Sequence, residues 1–162
     1  PPLAALRRAY GSDAPRRLLA YSKAMSNTPQ TPPPPVVLLC SPAGRFQESL
    51  RVLLSGLPLQ VVGPVTEARS ALALLRAWQP ALVVLDFAVP AAELPAILQG
   101  LQAEWPEVRR VALVDSVDQL AEAKTWGIKS VLLRGFRLEE LYAAITSQLA
   151  GVTASQRPLN SP

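Results

Sequence analysis

From Pro35 to Gly151 the chain alternates five times between a short apolar run and a longer stretch of helical periodicity. This rhythm constrains the fold more than any other feature. The runs are PVVLLC (35–40), LQVVG (59–63), ALVVLD (81–86), RRVALVD (109–115) and SVLLR (130–134). They are essentially continuous rather than alternating, which is the pattern of strands covered on both faces. Between them, GRFQESLRVLLSG (44–56) sets Phe46, Leu50, Leu53 and Leu54 at helical spacing, with Gly56 as the stop. TEARSALALLRAW (66–78) is a second helix with Thr66 expected as its N-cap. A third lies within 91–104, where Pro95 starts or kinks it, and VDQLAEAKTWG (117–127) and RLEELYAAITSQLAG (137–151) complete the set.

Strands that alternate with helices pair in parallel through right-handed crossovers, so helices cover both faces of the sheet. The fold class expected is therefore α/β, a doubly wound five-stranded parallel sheet. In such a sheet the functional crevice lies outside the carboxyl ends of the strands. Asp86 ends the third strand, Cys40 and Ser41 the first, Asp115 the fourth and Arg134 the fifth. All of them are predicted to meet on one rim. Asp86 is the informative one, since a lone carboxylate closing so apolar a run needs a reason.

Composition removes several functions. The chain has no histidine, which excludes Ser-His-Asp and Cys-His catalysis, histidine zinc sites and a phosphohistidine carrier. A single cysteine, Cys40, forbids an internal disulfide and fits a cytoplasmic setting. Cys40 itself reads as a small buried hydrophobe. No apolar run approaches the ~20 residues of a membrane span. The net charge of +4 resides wholly in residues 1–34, because residues 35–162 carry eleven basic and eleven acidic side chains. The folded body thus has no basic excess for nucleic acid, and Trp78, Trp105 and Trp126, all near helix ends, suggest no base-stacking platform.

Residues 1–34 differ in kind. A short basic amphipathic helix within 1–24 is followed by MSNTPQTPPPP, a polyproline-like spacer. The expectation is a disordered leader, with Met25 reading as a translation start. The organisation expected is leader 1–34, folded domain 35–150 and polar tail 151–162. That tail is too short and too polar for an output domain.

The VVLD run followed by Pro90, the RVALV strand and the WGIKSVLLR segment, in this order of elements, resemble a bacterial response-regulator receiver domain. The resemblance covers about residues 35–150 and implies the CheY-like strand order 2-1-3-4-5. It also implies a phospho-acceptor role for the position of Asp86. In that family two acidic residues ending the first strand bind Mg2+. Here Cys40 and Ser41 stand there, a poor donor pair for a cation that wants hard oxygen ligands. A hydroxyl residue usually ends the fourth strand and a lysine the fifth; here they are Asp115 and Arg134. Val131 takes the place of the aromatic that swings inward on activation.

These departures imply a degenerate receiver, with Asp86, Arg134 and Asp115 in a static ion-pair cluster and no cofactor. It is expected to be no enzyme and to act by protein contact, with another signalling protein or with itself. The contact face implied is helix four, strand five and helix five, where Glu139 and Tyr142 join Glu140, Asp118, Glu122 and Lys124. A first alternative is a working receiver, phosphorylated on Asp86 with Asp115 as a relocated Mg2+ ligand. A second is a small-molecule-binding doubly wound domain, against which CSPAGRF offers a single glycine rather than a glycine-rich phosphate turn.

Overall fold

The computed structural model describes residues 33–155. The expectations for residues 1–32 and 156–162, including the basic helix within 1–24, lie outside them. The elements are β1 (Val36–Cys40), α1 (Arg45–Ser55), β2 (Gln60–Val65), α2 (Ala68–Trp78), β3 (Leu82–Asp86), α3 (Leu94–Glu104), β4 (Arg109–Val114), α4 (Val117–Thr125), β5 (Ser130–Leu133) and α5 (Leu138–Ser155). The strands form one parallel sheet in the order β2-β1-β3-β4-β5. This is the doubly wound CheY-like architecture.

The period-two geometry of strands explains why the runs are continuously apolar. Val37 and Leu39 of β1, Leu82 and Val84 of β3, and Val111 and Leu113 of β4 face one side, where Leu50 and Leu54 of α1 and Leu141 and Ile145 of α5 cover them. The intervening residues, Leu38, Cys40, Val83, Leu85, Ala112 and Val114, face the other side. There Ala71 and Leu75 of α2, Ile97, Leu98 and Leu101 of α3 and Ala123 of α4 close the core.

Several boundaries differ from the sequence expectation. β2 runs on through Gly63 and Pro64 to Val65. A proline is tolerated there because β2 is an edge strand. Gly63, at φ 94°, brings its backbone against the Leu39 carbonyl, where a Cβ would clash. The N-cap position of α2 is Glu67, not Thr66, and it makes no side-chain cap. Instead the Ala68 amide donates to Glu93 Oε2 at 2.7 Å, a partner 25 positions away that no local pattern announces. Pro95 falls in the first turn of α3 and starts it. α5 continues to Ser155, into the segment expected to be tail, because nothing in GVTAS breaks a helix strongly enough to stop at Gly151.

Candidate functional site

The carboxyl ends of β1, β3, β4 and β5 bring Ser41, Asp86, Asp115 and Arg134 together. The first residues beyond β1, β3 and β5 are each fixed by one more backbone bond continuing the ladder. Ser41 N donates to Val65 O at 3.0 Å, Phe87 N to Leu113 O at 2.9 Å and Arg134 N to Val114 O at 2.8 Å. Backbone positions so held place their side chains with little freedom.

Asp86 is 1 % exposed. A buried carboxylate needs donors on its oxygens. Oδ1 accepts from the Ala88 amide at 2.9 Å. Oδ2 accepts from the Ser41 hydroxyl at 3.0 Å and from an Arg134 terminal nitrogen at 3.4 Å. Ser41, itself fully buried, is held in turn by Gln47 of α1, whose side-chain amide donates to the Ser41 carbonyl at 2.8 Å. Arg134 Nε lies 2.8 Å from Asp115 Oδ1, so one guanidinium spans both carboxylates. The Cζ of that guanidinium lies over the Phe46 ring, 4.0 Å from its centroid, and Phe136 meets Phe46 edge-on at 6.4 Å and 68°.

Asp115 is set by the start of α4. Ser116 caps the helix by accepting from Gln119 N at 3.2 Å, while Gln119 Oε1 accepts from Asp115 N at 2.7 Å. The signal in the sequence is S-x-x-Q ahead of a helix, a near relative of the capping box.

The remaining singled-out residues fall as follows. Cys40 is fully buried in the sheet core, and burial pushes its thiol up to about 12. Pro90 sits in the exposed turn after β3, its carbonyl accepting from Glu93 N and Leu94 N. Val131 is half-buried in β5 and packs on the α2–α4 side of the core. Glu139 is exposed in the first turn of α5. Tyr142 departs from expectation. It is half-buried and its hydroxyl donates to Leu53 O of α1 at 2.7 Å, so it belongs to the α1–α5 seam and not to the α4–β5–α5 face. One position on from core-facing Leu141, it points about 100° further round α5 and reaches the α1 flank. Two contributors were missed from sequence: Phe46, which reads only as a core position of α1, and the Ser41 hydroxyl as a donor to a carboxylate 45 residues away.

An apolar cleft of about 280 Å³ lies away from this rim, beside the amino ends of β1 and β2, between Leu57–Leu59 and Ile145–Ala150. No helix of the described residues is long and apolar enough to cross a membrane.

No protein-family model and no curated protein sequence matches the chain. Solved structures do. The signal receiver domain of an HD domain-containing protein from Pseudomonas fluorescens Pf-5 is 25% identical, with a TM-score of 0.66 over 75% of this chain and 98% of that one. A receiver domain from a signal transduction histidine kinase of Syntrophus aciditrophicus is 17% identical, with a TM-score of 0.65 over 79% and 97%. The receiver domain of a sensor histidine kinase from Pseudomonas aeruginosa PAO1, solved with a magnesium ion in its active site cleft, is 16% identical, with a TM-score of 0.65 over 72% and 98%. This chain has the receiver fold. In the receiver frame Asp86 stands at the tip of the central β3, with Asp115 and Arg134 closing over it from β4 and β5.

Proposed function

We propose that this receiver-fold chain is an atypical signalling module that works through protein–protein contact and independently of phosphorylation at Asp86. The observation that carries the reading is the state of the Asp86 carboxylate, 1 % exposed with both oxygens already bound. Accepting a phosphoryl group requires one oxygen to approach a donor in line, with cations neutralising the transferring group. Here Oδ2 is taken by Ser41 and Arg134, and a phosphoryl would bring about two further negative charges beside Asp115.

The residues present also do not fit the magnesium ion that such a fold implies. The last residue of β1 offers a buried thiol facing the core, and Ser41 offers a hydroxyl already donated to Asp86. Magnesium wants near-octahedral hard oxygens. No step of the proposed action passes through a metal, and the module is not an enzyme. The competing reading, a working phospho-acceptor, draws on Asp86 keeping its place at the tip of β3.

The partner is another signalling protein or a second copy, and the setting a reducing one such as the cytoplasm. The α4–β5–α5 face supports a contact role, since Val117 at 71 %, Leu133 at 47 % and Leu138 at 39 % are exposed there beside Glu139. The test is intact mass after incubation with Mg2+ and acetyl phosphate, and with beryllium fluoride. We expect no adduct. An Asp86-dependent mass gain of one phosphoryl would establish the competing reading instead.

A further inference from the structure

A receiver silent towards phosphoryl donors still has to hold a buried carboxylate, Asp86, on the same rim as the exposed carboxylate of Asp115. We infer that Arg134 is the built-in counter-cation of this cluster, a guanidinium tethered through β5 that takes over the neutralising role of a divalent ion. The inference goes beyond the proposed function, because a receiver fold can be silent towards phosphoryl donors and still need a metal.

The geometry has three parts. The anionic oxygens come from separate strand ends: Asp86 Oδ2 at 3.4 Å and Asp115 Oδ1 at 2.8 Å from the guanidinium, with Ser41 Oγ on the same Asp86 oxygen at 3.0 Å. Delivery of the cation is fixed by the Arg134 N to Val114 O bond at 2.8 Å and by the Phe46 ring 4.0 Å away. That ring, lying under the Cζ, restricts where the guanidinium can go and so favours the position in which it spans two acceptors. Phe46 is thereby a positioning residue. Finally, the sum of charges on Asp86, Asp115 and Arg134 is one negative, so most of the repulsion is offset without an ion. A metal would have to displace the guanidinium or sit beside it. Among the described residues, no three His, Cys, Asp or Glu side chains are grouped to hold one.

If Arg134 supplies the cation, removing it leaves the two carboxylates facing a vacated space without their counter-charge, and that pair of hard-oxygen groups will recruit a divalent ion. The experiment measures Mn2+ binding by water-proton relaxation on the full chain, with Mg2+ competition, for wild type, Arg134→Ala, and Arg134→Ala combined with Asp115→Asn. Wild type is expected to bind no Mn2+. Arg134→Ala is expected to bind one ion that Mg2+ displaces, and the second substitution to abolish it. The thermal midpoint of Arg134→Ala should fall below wild type and rise with MgCl2 but not with NaCl of equal ionic strength.

Should Arg134→Ala not fold, Arg134→Gln takes its place, and folding of either variant only with Mg2+ is the same positive result. Wild type binding Mn2+ through Asp115 would overturn the inference, as would folded Arg134 variants that bind none, or variants that fail to fold with or without Mg2+. A phosphoryl adduct on a wild type that binds no Mn2+ sinks the proposed function and leaves this inference standing; Mn2+ binding without any adduct does the reverse.

Discussion

Cys40 and Ser41 are adjacent, both fully buried, and opposite in use. Alternation along β1 sends the thiol into the core on the α2–α4 side, while Ser41, just past the strand, turns its hydroxyl to Asp86. The thiol has no charge partner to stabilise a thiolate, and burial raises its pKa from 9.0 to about 12. The sign of the consequence is definite. Below pH 9 both folded and unfolded chains hold the proton, so nothing is lost. Between pH 9 and about 12 the unfolded chain releases it first, and the folded state loses stability as pH rises. We expect wild type to lose more stability than Cys40→Ala over this window in urea titrations, although Cys40→Ala starts lower from its small cavity. Parallel pH profiles of the two proteins would remove the desolvation account.

Between elements, the decisive contacts are made by side chains that reach across rather than along the chain. Glu93, in the turn after Pro90, serves the first amide of α2, where the sequence pattern predicts a cap from Thr66. Tyr142 of α5 serves the Leu53 carbonyl near the end of α1, over Gly56. Gly56 leaves the room, since a Cβ there would run into the Tyr142 hydroxyl. Tyr142→Phe keeps the ring and removes one of two donors to that carbonyl, which the Gly56 amide still serves at 3.2 Å, at a cost of roughly 0.5–1.5 kcal/mol. We expect this as a lower urea midpoint with an unchanged slope and no change in any self-association. A Tyr142→Phe protein that is as stable as wild type but associates more weakly would return this residue to the contact face.

At the scale of the whole molecule, the sheet edge at β5 is where the proposed contact lies, flanked by α4 and α5 from opposite layers. Val131 packs against the core there and the Asp115 amide is held by Gln119 at the start of α4, and on the proposed reading neither relays a signal from Asp86 to the edge. The face is therefore expected to hold one state. Sedimentation velocity of wild type should show association, with itself or an added partner, without any phosphoryl donor. Leu133→Asp or Glu139→Lys should weaken it, the first through lost apolar burial and the second through reversed charge. Association that appears only after acetyl phosphate treatment would contradict a constitutive face. The architecture is legible in the chain alone: continuous apolar runs alternating with amphipathic segments require a sheet covered on both sides, and the crossovers then bring Ser41, Asp86, Asp115 and Arg134 to one rim. That inference needs only local periodicity and chain handedness. Which of those side chains touch was decided by tertiary structure alone. The Ser41 bond to Asp86, the Phe46 shelf under Arg134 and the Glu93 cap on α2 join residues far apart in the chain, and each depends on strand register and side-chain direction that become defined only when the layers close.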